Sequence, residues 1–281
     1  MTLGELIRSA EKRFRAAALH YGHGTDNARD EAAFLVLRAL RLPFDVSRTR
    51  ETTRPQVKKI ESLIRKRIEK RIPTAYLLNE AWLDDHEFYV DRRVIVPRSH
   101  IAELLKERLK PWLRRPVRRV LDLCTGSGCL AILAAHAFPR ARIDATDLSK
   151  PALEVSRTNV AKYRLKERIR LVRSDLFESI EERYDVIVAN PPYVTASSMR
   201  TLPPEYRYEP RLALAGGQDG LQLVRTIIEK APEHLSHGGL LICEIGANRK
   251  ALERTFPRLP FVWPETAGGG QVFLLKREDM G

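Results

Sequence analysis

Cysteine is scarce in this chain: Cys124, Cys129 and Cys243 are the three among 281 residues, and no two form a Cys-x-x-Cys pair. That argues against a disulfide framework and against a structural zinc site, and it suits a reducing cytoplasm. Long apolar runs are missing as well. No stretch approaches the roughly 20 residues a helix needs to cross a bilayer. The opening MTLGELIRSAEKRFR is charged throughout and has no apolar signal core. Together these point to a cytoplasmic chain without a membrane partner. The third shortage is acid: 36 Asp and Glu stand against 49 Lys and Arg, a net charge of +13. What remains is globular, with 43% hydrophobic residues, enough for a core and unlike a disordered chain.

The positive excess is uneven. Residues 1–115 carry 25 basic and 16 acidic side chains, whereas residues 116–281 carry 24 and 20. The densest run is KKIESLIRKRIEKR, Lys58 to Arg71. Ile60, Leu63, Ile64 and Ile68 fall there at helical spacing, so one face packs while the other presents cations such as Lys59, Arg65, Lys66 and Arg67. Such a face is either simply solvated or a docking surface for a polyanion such as RNA, and both readings stay open at this point.

Three parts follow from the pattern. Residues 1–73 read as helices, over Leu3–Leu19, Asp30–Leu40 and the basic run, with Asn27 or Asp26 as N-cap of the second and Pro73 ending the series. Residues 74–115 read as a β-hairpin and linker, from AYLLNEAWL and HEFYVDRRVIV. Residues 116–281 alternate strand and helix, the mark of a parallel sheet covered by helices. A terminal antiparallel pair is expected from FVWPET and QVFLLK.

LDLCTGSGCLA places Gly126 and Gly128 between a buried strand and a helix, where glycine permits a tight turn and a close backbone approach. Asp147 follows 21 residues after Gly126, at the end of the next strand, where a carboxylate can accept both hydroxyls of a ribose. An adenosine-containing cofactor across the strand ends is the reading. Asp122, just before the loop, would repel a pyrophosphate and suits a cationic ligand, which favours S-adenosylmethionine over a dinucleotide. Asp175, after the third strand, either contacts the adenine amino group or caps a helix.

The fourth strand of this series runs into Asn190-Pro191-Pro192-Tyr193. An amide at a central strand end faces the ligand crevice, and two prolines stiffen the loop and leave carbonyls free to accept. The Asn190 side-chain oxygen and the Pro191 carbonyl can each take one hydrogen of a planar NH2 group and aim its nitrogen at a methyl donor. Tyr193 can stack on the flat group.

DLCTGSG with NPPY resembles the S-adenosylmethionine-dependent amino-methyltransferases, which act on DNA adenine or on protein glutamine. VPRSHIAEL, YEPRLALAGGQDGL and CEIG are similar to the protein-glutamine methyltransferases. YGHGTDN, RIPTAYLLNEAW and LPPEYRYEP resemble the branch that modifies the third protein of the large ribosomal subunit, rather than the branch acting on peptide-chain release factors. The resemblance implies a Rossmann-like class I methyltransferase fold with a small helical N-terminal domain. It implies a cofactor loop at Cys124, Thr125, Gly126, Ser127 and Gly128, a ribose acid at Asp147, and adenine-flanking positions at Asp175 and Leu176. It also implies a substrate clamp at Asn190 to Tyr193, and a segment with Pro97, Arg98 and Glu103 closing over the methionine end of the cofactor. Its partner would be a ribosomal protein within or near an assembling large subunit, with rRNA against the basic helices. His100 and Ala102 depart from the pattern, which has Pro and Gly there. Gly-Gly-Gln, the triplet methylated in release factors, occurs at 216–218 and at 269–271, which raises self-methylation at Gln218 or Gln271 as a sharp alternative to coincidence.

Overall fold

Thr2 starts the first helix by chemistry visible in the sequence: its hydroxyl accepts the Glu5 amide while Glu5 reaches back to the Thr2 amide, capping α1 (Leu3–Ala16). The structure, a computed structural model, describes residues 1–113, 115–267 and 271–280. Asn27 caps α2 (Ala28–Ala39), accepting the Asp30 amide at 3.0 Å. Thr53 and Gln56 build a second reciprocal cap for α3 (Arg54–Lys70). The three helices share a core that includes Leu6, Phe14, Leu35, Ile60 and Ile64.

Two of the four cations expected on the outer face of α3 are engaged elsewhere. Arg67 is 1% exposed and pairs with Glu31 at 2.5 Å and with Glu205 at 3.1 Å. Position 67 lies seven residues after Ile60 and three after Ile64, on the buried stripe, so the helical period itself turns it inward. Lys59 is exposed, but its Nζ donates to the Ala39 carbonyl at the end of α2.

Pro73 does not end the helical run. Its fixed φ suits the residue before a helix, and a further short helix, α4 (Thr74–Leu78), follows until left-handed Asn79 closes it. The first part of the expected first strand, residues 75–78, is therefore helical. Pairing is confined to β1 (Ala81–Leu83) and β2 (His86–Phe88), joined through Asp84 and Asp85, both at positive φ as a two-residue primed turn requires. The chain then runs without strand pairing to α5 (Ile101–Lys106). Phe88, Val90, Val96 and Leu105 from this segment are buried in the same core as the inner face of the main sheet's first helices.

The main sheet comprises β3 (Arg119–Leu123), β4 (Arg142–Asp147), β5 (Ile169–Arg173), β6 (Tyr184–Ala189), β7 (Leu235–Glu244) and β8 (Val272–Lys276) in the order β5-β4-β3-β6-β7-β8. The first five are parallel and β8 is antiparallel to β7. Helices α6 (Cys129–Ala137), α7 (Lys150–Lys162), α8 (Gln222–His234) and α9 (Arg249–Thr255) supply the connections. The sheet is thus of the Rossmann-like kind expected. At the tail, β8 takes β7 as its strand partner, and FVWPET contributes a single bridge, Val262 to Leu274. The chain winds outward from β3 to β5 and then returns to the other side of β3. That reversal leaves a crevice at the carboxyl ends of β3 and β6.

Candidate active site

Both motifs read from the sequence reach this crevice. β3 enters it through Val120, Leu121 and Leu123, all fully buried, and the chain then turns sharply with Cys124 at φ 56° and Gly126 at φ 55°. A left-handed cysteine is costly, and its presence marks a loop held by its surroundings. One holder is the Thr125 amide, which donates to the Thr146 carbonyl at 2.9 Å. The other is Asp122. Its Oδ2 accepts the Thr125 hydroxyl at 2.5 Å and the Ala131 amide at 3.0 Å, fastening the loop to the first turn of α6. Burial pushes the Asp122 carboxyl up to about 7. Asp122 therefore stands behind the loop, outside the cavity wall, and the carboxylate that lines the crevice is another group.

That group is Asp147. Its Oδ2 accepts the Gly126 amide at 2.9 Å and its Oδ1 the Ser149 amide at 2.8 Å. In a loop that cradles phosphate, such an amide points at the ligand. Here a carboxylate already holds it, and each oxygen keeps a lone pair for a hydroxyl. Cys124, Gly126, Asp147, Asp175, Leu176, Asn190 and Pro192 line one cavity of about 280 Å³. Leu176, left-handed at φ 48°, is a second strained residue in its wall. Asp122, Thr125, Ser127, Gly128, Pro191 and Tyr193 stand outside that wall.

The Asn190 loop is enclosed from several sides. A Cβ at Gly216 would come within 2.7 Å of the Pro192 carbonyl oxygen and of the Tyr193 Cα. Another at Gly246 would meet the Tyr193 ring at 2.7 Å. The Asn248 amide donates to the Tyr193 carbonyl at 3.1 Å, and the Tyr193 hydroxyl donates to Glu244 at 3.1 Å. Glycine at 216 is thus required by close packing on the loop. Gln218 is exposed, and Gly269 and Gly270 of the second triplet lie outside the described residues.

Two buried carboxylates grip the segment before α5. Glu244, 2% exposed at the end of β7, accepts the Ser99 hydroxyl at 2.7 Å and the His100 amide at 3.0 Å as well as Tyr193. Burial raises its carboxyl above the ordinary range against these hydrogen bonds. The proline of the family pattern at position 100 would lack that amide. Glu209 takes Arg98 through both oxygens, at 2.6 and 2.7 Å, and the Val96 amide at 3.0 Å. Pro97, Arg98 and Glu103 do not line the cavity. The part of this stretch that does is Arg93, Val94 and Ile95, opposite Pro210, Leu212 and Ala213. No spacing in the sequence marks these six, because the wall is assembled from segments more than 100 residues apart.

Residues 101–202 match the methyltransferase small domain family. A ribosomal protein uL3 glutamine methyltransferase of Bordetella pertussis is 54% identical over 289 residues, covering 99% of this chain and 96% of the relative. Its namesake in Neisseria meningitidis serogroup B is 50% identical over 285 residues, covering 99% and 94%. The chain belongs to the ribosomal protein uL3 glutamine methyltransferase family. Among solved structures, a methyltransferase from Pyrococcus furiosus superposes with a TM-score of 0.52 at 20% identity, over 69% of this chain and 90% of that one. The likeness shows the shared fold. As a member of this methyltransferase family, the protein uses S-adenosylmethionine as methyl donor. The cavity fits that group: it offers a carboxylate anchored on the glycine loop for a ribose and no free loop amide at Gly126 for a phosphate.

Proposed function

We propose that the protein transfers a methyl group to the side-chain amide nitrogen of a glutamine in ribosomal protein uL3, acting in the cytoplasm within or near an assembling large subunit. The observation that carries this reading is Asn190, delivered by β6 into the wall of the same cavity that Asp147 and the glycine loop line. Cys124, Gly126, Asp147, Asp175 and Leu176 of the cavity wall would hold the cofactor, with Thr125, Ser127 and Gly128 shaping the loop, and its sulfonium, when bound, supplies an electrophilic methyl. The Asn190 Oδ1 and the Pro191 carbonyl would each accept one hydrogen of the glutamine NH2. Two acceptors in a stiff loop fix the nitrogen's direction and raise its electron density, which an amide nitrogen needs. Tyr193, outside the cavity wall with its hydroxyl on Glu244, would hold the loop that presents these acceptors. The amide nitrogen so aimed would take that methyl and give its surplus proton to water. The helical residues 1–73 would dock the substrate, with rRNA against their basic face.

Labelled S-adenosylmethionine is incubated with the enzyme and four acceptors: undermethylated uL3, large-subunit precursors, a release factor and DNA. Label mapped to a uL3 glutamine, and reduced about 100-fold or more in Asn190→Ala, is the expected result. Label confined to the release factor or to DNA overturns the substrate, and full activity in Asn190→Ala overturns the clamp.

A further inference from the structure

A groove of about 620 Å³ lies between the end of α3 and the stretch Asp91–Arg93. Lys66 and Lys70, one helical turn apart, form one wall, and Arg92 and Arg93 the other. Asp91 is the acid in its lining, and it is already held by Arg93 at 2.6 Å. Among the described residues, Lys66, Lys70 and Arg92 make no ion pair, although Glu69 stands on the same turn of α3. The floor is different in kind: Ile72, Tyr76 and Leu77 give it an apolar base. The Tyr208 hydroxyl bonds to the Lys70 carbonyl, and the Arg92 guanidinium stacks 4.5 Å from the Tyr208 ring centre. Arg92 is exposed, so the side of its guanidinium away from the Tyr208 ring is open to a further flat group. Arg93 lines both this groove and the cavity at the carboxyl ends of β3 and β6.

We propose that this groove binds an unpaired segment of RNA adjoining the glutamine-bearing protein and so leads the target to the cavity. The inference rests on the reading that the acceptor is a ribosomal protein. Cations on both walls match a phosphodiester backbone, and an apolar floor with an open guanidinium plane matches unstacked bases. A peptide rich in acid would use the cations and leave the stacking plane without a partner. The docking surface is thus narrower than the whole basic helix: Arg67 is buried in its pair and Lys59 is spent on α2.

The experiment titrates a fluorescent, unstructured oligoribonucleotide by anisotropy over a range of salt. Wild type is compared with Lys66→Gln/Lys70→Gln/Arg92→Gln and with Arg92→Lys, after equal cofactor affinity and thermal midpoints are established. The triple variant is expected to bind about tenfold or more weakly near 0.1 M salt, with the log–log salt slope reduced by about 2. Arg92→Lys keeps the charge and loses the plane, so it should weaken binding several-fold with the slope unchanged, and it remains readable if the triple variant folds poorly. Unchanged affinity and slope in the triple variant overturn the groove. Polyglutamate competing as well as RNA overturns the RNA assignment in favour of an acidic protein. Methyl transfer to isolated uL3 is measured in the same preparations. A wild type that binds RNA through the groove yet methylates no ribosomal protein overturns the function reading and leaves the groove standing. Normal transfer with RNA binding indifferent to the substitutions does the reverse.

Discussion

Asp122 and Asp147 lie near the carboxyl ends of neighbouring strands, yet the fold turns one behind the glycine loop and the other into the cavity wall. Asp147 is legible because its spacing from Gly126 is set by one strand–helix–strand unit. The role of Asp122 is not, since an acid before a glycine loop can face the ligand or the helix behind it. Its burial has a measurable consequence. The carboxyl is raised from 3.8 to about 7 in the folded chain, so the native state binds its proton more tightly than the unfolded state. Stability owed to this group is complete below about pH 4 and is lost as pH rises toward 7. Asp122→Asn preserves an acceptor for Thr125 and Ala131 without the titration. The difference between wild-type and variant unfolding free energy should therefore change by up to about 1.4 kcal/mol per pH unit across that window, in urea titrations at several pH values. A constant difference would show that Asp122 ionises normally. Glu209 and Glu244 were illegible for another reason: Glu209 lies 111 residues from Arg98 and Glu244 145 from Ser99, and no local pattern links them.

At the scale of elements, the alternating strands and helices of residues 116–281 were legible because each buried strand is short, apolar and bounded by a turn. The region around Pro73 was not, because TAYLL is compatible with either period over so few residues and tertiary packing decides. α3 shows the same limit on one side chain: the helix and its apolar stripe were foreseen, but not the inward turn of Arg67. Arg67→Ala would leave buried Glu31 without its cation and Glu205 with only the more distant Arg71, at 3.6 Å. It is expected to cost about 3–5 kcal/mol in urea unfolding, whereas Arg65→Ala should cost well under 1 kcal/mol, as surface changes do. Equal small losses would mean that the buried pair contributes little. The loop after β6 depends on the Gly216 turn, whose motif was visible in the sequence but whose close packing on that loop was not. Gly216→Ala forces the Pro192 carbonyl or the Tyr193 backbone to move. Since misplacement of about 1 Å can cost 100-fold in rate, kcat should fall at least tenfold while cofactor affinity changes little. Unaltered kcat would show that the loop tolerates the shift.

Across the whole molecule, the cavity joins three parts of the chain: the linker at Arg93–Ile95, the ends of β3, β4 and β6, and the wall at Pro210–Ala213. A ligand that binds there engages only the folded arrangement, so it must stabilise it by mass action. At about a hundredfold its Kd, S-adenosylmethionine should add about 2.7 kcal/mol, which for a chain of this size raises the thermal midpoint by roughly 5 °C. NAD offers the same adenosine with two phosphates, and Asp147 occupies the loop amide that a phosphate would need. It should give no shift at equal concentration. Asp147→Ala removes the proposed ribose acceptor and frees the Gly126 amide, so the S-adenosylmethionine shift should vanish at that concentration. A comparable NAD shift in wild type would mean that the anchored carboxylate does not choose the cofactor, and that the glycine loop binds adenosine ligands without regard to charge.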